Sequence, residues 1–114
     1  MWGFLNFFRN ANSRSNVHKL NAKVFKEHLE NESCTVLDVR TPVEFSRGHI
    51  KKAINCNVLD KKKFLKSIDV LNKEKPVYLY CQSGNRSWVA SKILVDLGFE
   101  LIYDLKGGYS RWID

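Results

Sequence analysis

The stretch Val77-Tyr78-Leu79-Tyr80-Cys81-Gln82-Ser83-Gly84-Asn85-Arg86-Ser87 constrains this chain more than any other. A run of apolar and aromatic residues ends at a cysteine, and small and polar residues follow at once, ahead of a helical pattern. A strand of that kind fixes a thiol at its carboxyl end, and a polar turn folded around the sulfur points backbone N–H groups inward. The following helix adds the positive end of its dipole to the same point. Such a pocket favours thiolate over thiol and receives anions.

The rest of the sequence supplies a sheet to hold that strand. From Ser87 onward Val89, Ala90, Ile93, Leu94 and Leu97 keep a helical period, and Gly98 stands where a left-handed C-terminal residue belongs. Thr35 to Arg40 is a short strand rich in branched residues, too apolar in its middle for an edge. Further strands are expected at Ala53 to Cys56 and Phe99 to Tyr103, with Pro76 ahead of Val77 to Tyr80. Asn21 caps a helix carrying Val24, Phe25, His28 and Leu29 on one side and ending near Asn31. Thr41-Pro42 opens a short helix through Val43-Glu44-Phe45, and Gly48-His49-Ile50 turns the chain back. Asp60 begins a lysine-rich helix with Phe64, Leu65, Ile68 and Leu71 inward. Asp104 to Gly108 reads as a turn into a short terminal helix from Tyr109 to Ile113. Strands alternating with helices imply an α/β fold with parallel pairing and helices on both faces, where ligands gather at the carboxyl ends of the strands.

One domain is expected from 114 residues, enough to bury roughly two-thirds of the unfolded chain's surface. Residues 1–17 read as an N-terminal apolar arm and polar linker, and 18–114 as the domain. Met1 to Arg9 is far shorter than the about 20 residues a membrane helix needs and has no secretory-signal pattern. It reads as an arm packing on the domain or a partner, with weak membrane contact by residues 1–9 as the other reading. Three cysteines, Cys34, Cys56 and Cys81, lack the paired spacing of a disulfide framework. A reducing compartment, the cytoplasm, is expected. No C-x-x-C, H-x-x-x-H or Cys/His cluster calls for a metal. The net charge of +7 gathers in lysines such as Lys61-Lys62-Lys63. No aromatic residues are interleaved with them to stack bases, so nucleic acid is not the expected partner. A small anionic substrate or an acidic partner suits that surface.

At this point the chain resembles the rhodanese-like family of sulfurtransferases, in its single-domain form, over about Leu20 to Ile113. The resemblance rests on Asp38-Val39-Arg40, Glu44-Phe45, Gly48-His49-Ile50 with Ala53-Ile54-Asn55, the Cys81 to Ser87 loop, and Leu105-Lys106-Gly107-Gly108 to Trp112. It implies a three-layer fold with a mostly parallel five-stranded sheet and Cys81 as the sulfur-carrying nucleophile; no cofactor is expected. The small anionic donor would be thiosulfate or a persulfide, and the acceptor a thiol, a protein or cyanide. In the loop, Gly84 gives freedom to curl, Ser83 and Ser87 offer hydroxyls, Arg86 adds a permanent charge, and backbone N–H groups from Gln82 through Asn85 to Ser87 face the sulfur. No general base is obvious there, and none is required of a thiol already ionised.

Two rivals share features of this layout. Cysteine phosphatases and arsenate reductases also seat a thiolate in an anion loop before a helix, but their pattern has one residue more between Cys and Arg. Here only Gln82, Ser83, Gly84 and Asn85 separate Cys81 from Arg86, a tighter pocket for a phosphoryl group. The other rival is a catalytically silent rhodanese-like binding module, against which Cys81 itself speaks. The chain departs from many relatives at Lys51-Lys52, where they carry Pro-Gly, and at Gln82, neutral where some place a basic residue. The second departure leaves a persulfide donor beside thiosulfate. Asp38 and Arg40 are supporting residues at a strand end, with Asp38 expected to anchor turn N–H groups. Glu44 either pairs with Arg86 or lies on the surface. His28 and His49 read as structural, Cys34 and Cys56 as small buried fillers, Cys56 also as a candidate resolving thiol. Trp88 reads as a shield for the loop or a docking surface, and Trp112 as core.

Overall fold

A computed structural model describes residues 16–31 and 33–112. The expectations for residues 1–9, and for the linker up to Ser15, lie outside the described residues. Five strands form one parallel sheet in the order β1-β5-β4-β2-β3: β1 Val17–Leu20, β2 Thr35–Asp38, β3 Ile54–Asn55, β4 Val77–Tyr80 and β5 Ile102–Leu105. Four helices connect them: α1 Ala22–Asn31, α2 Pro42–Ser46, α3 Lys61–Asp69 and α4 Asn85–Asp96, with a 3₁₀ turn at Tyr109–Arg111 after β5.

β4 lies in the middle of the sheet and every one of its residues is buried. It pairs with β2 from Thr35↔Val77 to Asp38↔Tyr80, and with β5 from Val77↔Ile102 to Leu79↔Asp104. Alternation along the strands sends side chains to two cores. Leu37, Val39, Val77, Leu79, Cys81 and Ile102 meet Phe64 and Ile68 of α3 and Ala90 and Leu94 of α4 on one face. Val36, Tyr78, Tyr80 and Leu105 meet Phe25 of α1 and Ile50 on the other, with Trp112 packed against them. Helices therefore cover both faces, as the alternating pattern implied.

Local chemistry sets the helix starts. Asn21 accepts from the Val24 N–H at 2.9 Å, Asp60 from the Lys63 N–H at 3.3 Å, and Thr41 forms a reciprocal capping box with Glu44. Three sequence expectations shift. The β1 strand has no counterpart among the strands read residue by residue, and β5 runs through Asp104 and Leu105, which sequence alone placed in a turn. The terminal helix shortens to the 3₁₀ turn among the described residues. No helix among the described residues is long and apolar enough to cross a membrane.

The Lys51-Lys52 turn keeps the shape that Pro-Gly would give. Ala53 N–H donates to the Ile50 carbonyl at 3.0 Å, and Lys52 sits at φ 73°, the geometry of a type II turn, whose third residue needs positive φ. Lysine there bears a left-handed strain of about 1 kcal/mol that glycine lacks, partly offset by glycine's freer unfolded chain. Lys52→Gly should therefore raise stability by about 0.5 kcal/mol in chemical denaturation. A clear loss of stability would refute this account of the turn.

Candidate active site

Cys81 leaves the carboxyl end of β4 on the α4 face and is 1% exposed. Gly84, at φ 114°, curls the loop and becomes the N-cap of α4. Its N–H donates to the Cys81 sulfur at 3.0 Å, and the Ser87 Oγ lies 3.5 Å from the same sulfur. An N–H dipole and the N-terminus of a twelve-residue helix thus bear on one atom, electrostatics that suit an anionic sulfur.

The loop is held in that orientation from below by the chain's end. Tyr109 N–H donates to the Cys81 carbonyl at 2.7 Å and Ser110 N–H to the Gln82 carbonyl at 3.1 Å. With those carbonyls tied outward, the N–H of Gly84 turns in. The approach is close enough that Gly108 has no room for a side chain: a Cβ there would meet the Cys81 and Gln82 carbonyl oxygens at 2.6 Å.

Asp38 and Arg40 anchor the loop from the side. Asp38 accepts from Arg40 N–H at 2.9 Å and from its guanidinium at 2.7–3.1 Å, both residues being buried. The guanidinium also donates to the Gly48 carbonyl at 2.7 Å and to Gln82 Oε1 at 3.0 Å, and lies over the Tyr109 ring at 4.5 Å. Burial works against the Arg40 charge, and the Asp38 carboxylate more than offsets it, so its pKa rises. Asp38 does anchor a turn N–H; contact with the loop falls to Arg40, through Gln82.

Glu44 meets Arg86 in a bidentate pair, Nη1 to Oε1 at 2.7 Å and Nη2 to Oε2 at 2.9 Å. The same carboxylate accepts from the Thr41 N–H and hydroxyl. The hydrogen bond from Arg86 above all, with those from Thr41, holds the Glu44 pKa down to about 2 against the opposing effect of burial. Arg86 is thus committed to Glu44 rather than open to a ligand. Of the remaining loop residues, Ser83, Gly84 and Asn85 line a cavity of about 260 Å³ with Lys19, Trp88, Asp104, Lys106 and Gly107.

The other candidates have structural partners. His49 Nδ1–H donates to the Phe45 carbonyl at 2.8 Å and its ring stacks on Phe45; His28 Nδ1 and the Tyr78 hydroxyl are hydrogen-bonded at 2.8 Å. Cys56 is buried, and burial pushes its thiol pKa up, the opposite of what a resolving thiol needs. Cys34 is half-buried, a partial correction to its reading as a buried filler. Trp88 is 38% exposed beside the loop, with Lys19 Nζ 5.2 Å over its ring. Sequence reasoning missed Asp104 and Lys19 at this site. Carrying the strand to Leu105 would have exposed Asp104, since Ile102 and Asp104 then alternate with Tyr103 and Leu105.

A family model described as Rhodanese-like domain matches residues 21–114. The chain is 31% identical over 103 residues to the tRNA uridine(34) hydroxylase of Pelagibacter ubique, which covers 90% of this chain and 34% of that protein. It is 35% identical over 104 residues to the adenylyltransferase and sulfurtransferase UBA4 of Meyerozyma guilliermondii, covering 87% and 23% respectively. The crystal structure of a rhodanese-related protein from Thermoplasma volcanium superposes with a TM-score of 0.71 at 33% identity, over 83% of this chain and 89% of that one. The chain thus spans about a third or less of the two longer proteins.

Two tests follow from the geometry. Gly108→Ala should destabilise the fold by about 2 kcal/mol, because the loop must move to admit the methyl group; an unchanged denaturation midpoint would mean the clamp on the loop is loose. For Glu44, a folded pKa of about 2 against an ordinary 4.5 means the pair's stabilisation is full above pH 4.5 and is lost as pH falls toward 2. The stability gap between the parent protein and Glu44→Gln should be about 1 kcal/mol at neutral pH, given partial exposure, and should close over that acid window.

Proposed function

We propose that this chain, which belongs to the rhodanese-like domain family, is a sulfurtransferase that moves a sulfane sulfur from thiosulfate or a persulfide donor to a thiol or cyanide acceptor through a persulfide on Cys81. The observation that carries the reading is the Cys81 sulfur at the end of β4 with the Gly84 N–H at 3.0 Å, inside a loop that closes on α4. In the first half-reaction the Cys81 thiolate attacks the outer sulfur of the donor. A bond from Sγ to that sulfur forms as the donor's own bond to it breaks, and the donor remnant, sulfite where thiosulfate is used, leaves with the electron pair. In the second, an acceptor thiolate attacks the outer sulfur, the Cys81 S–S bond breaks, and the thiolate returns. Both enzyme states carry a negative charge on sulfur beside the Gly84 N–H and the helix terminus.

The Gln82 side chain is drawn to Arg40, and Arg86 to Glu44. Neither is poised to take a doubly charged oxyanion, which favours a persulfide donor over thiosulfate. The same pairing weighs against phosphoryl chemistry, whose oxygens need an open guanidinium fork. A thiol positioned by an N–H in this way favours catalysis over a silent binding module. A reducing compartment such as the cytoplasm fits an enzyme that depends on a thiol.

The test is intact mass spectrometry after incubation with thiosulfate or a low-molecular-weight persulfide, then with cyanide or dithiothreitol. A one-sulfur adduct should form on the parent protein, be absent from Cys81→Ser, and vanish with the acceptor. If neither donor loads the parent protein, the sulfurtransferase reading fails.

A further inference from the structure

Asp104 is a buried titratable group that this chemistry leaves unused. It is 1% exposed and sits on β5 at the register position of Leu79 on β4 and Lys19 on β1. Leu79 and Cys81 share the face that α4 covers, and Asp104 shares it with Ile102, so the carboxyl lies under α4 beside the nucleophile. From α4 the Ser87 hydroxyl faces it, fully buried, with its Oγ 3.5 Å from the Cys81 sulfur. The Asp104 Oδ1 has no hydrogen-bond partner. The charged groups around it are Lys19 from β1 and Lys106 just past the end of its own strand, and Cys81, after β4, lies on the same face of the sheet. Burial raises its pKa to about 6, while Ser87 and Lys19 pull it back down. The residue also lines the 260 Å³ cavity, which opens beside the loop.

We propose that Cys81, Ser87 and Asp104 form a proton relay in which Asp104, as a positioning residue acting through Ser87, governs whether the nucleophile's proton stays on sulfur, with the adjoining cavity as the route to solvent. The proposal rests on Cys81 being the nucleophile of the sulfurtransferase reading. It needs the Ser87 hydroxyl hydrogen, which points to the Gly84 carbonyl at 3.1 Å, to turn toward the carboxylate, and hydroxyl hydrogens rotate readily. In one arrangement the thiol donates to Oγ and the hydroxyl donates to the carboxylate. In the other, an S–H and an O–H bond have broken, an O–H on Ser87 and an O–H on Asp104 have formed, and the electron pair remains on sulfur. The net charge is the same in both, and no other reactant takes part. A carboxyl that titrates near the operating pH is suited to accept that proton and release it through the cavity.

The test is the rate of iodoacetamide alkylation at Cys81, followed by peptide mass spectrometry from about pH 5 to pH 9, on the full chain and on Asp104→Asn and Ser87→Ala. The parent protein should show two inflections, the lower near pH 6. Asp104→Asn keeps a donor to Ser87 but removes the carboxylate's repulsion, so the lower inflection should vanish and alkylation at neutral pH should quicken about three- to tenfold. Ser87→Ala keeps the repulsion and removes the donor, so alkylation there should slow. Opposite shifts support the relay; a profile unchanged by Asp104→Asn, or shifts in the same direction for both variants, overturns it.

Thermal melts keep folding defects apart from this readout. Ionising a carboxyl whose pKa rises from 3.8 to about 6 on folding costs stability as pH climbs through that interval. Asp104→Asn should accordingly melt above the parent protein at pH 7, and a large drop at that pH would contradict the assigned burial of its charge. Alkylation needs no sulfur donor. Opposite shifts without any sulfur loading therefore uphold the relay and sink the sulfurtransferase reading.

Discussion

The site depends on one buried ion pair. Asp38 and Arg40 are 0% and 2% exposed, and removing two charges from water is repaid only when their hydrogen-bonding capacity is filled. Here it is. The Asp38 carboxylate receives the Arg40 backbone N–H and a guanidinium fork, and the rest of the fork goes to Gly48 and Gln82. Asn55 donates to the Asp38 and Arg40 carbonyls, tying β3 to the same corner. The guanidinium lies over Tyr109, whose N–H holds the Cys81 carbonyl. One pair thus joins β2, β3, the Gly48 turn, the Cys81 loop and the Tyr109 turn. Losing either partner would leave a buried charge unmatched and loosen all five together.

That arrangement explains how much of the site could be read from sequence. The Cys81 to Ser87 loop was legible because its chemistry is local: a buried strand, a thiol, a glycine able to take positive φ, and a helix starting immediately after. Glu44 and Arg86 were legible as candidates, and the structure joins them. The reach of Arg40 was not, because its partners Gly48, Gln82 and Tyr109 come from segments that only the folded sheet brings together. β1 escaped the residue-by-residue reading for a different reason. Val17–Leu20 is an edge strand with His18 and Lys19 exposed and its ends only half-buried, so it lacks the apolar run that marks an inner strand. Asp104 escaped because aspartate is rare in strands and common in turns, and the propensity is overridden here by pairing with β1 and β4.

The distribution of charge around the sulfur also bears on what the loop selects. Arg86 is the loop's cation, yet its guanidinium faces the Glu44 carboxylate at 2.7 and 2.9 Å, so at a distance the pair acts more as a dipole than as a charge. Asp104, on the sheet face that Cys81 shares, holds a carboxyl that burial disfavours as an anion. The groups that touch the sulfur itself are short-ranged donors, the Gly84 N–H and the Ser87 hydroxyl, with the first turn of α4 behind them. Short-ranged donors of fixed geometry suit a single charge on a compact atom, as in a thiolate or persulfide. A phosphoryl group spreads its charge over several oxygens and needs an open guanidinium fork to meet them. The Glu44–Arg86 pair therefore does more than hold the loop. By engaging the Arg86 guanidinium, it leaves the Cys81 sulfur to the Gly84 N–H, the Ser87 hydroxyl and the helix terminus, donors whose short reach suits a compact anion.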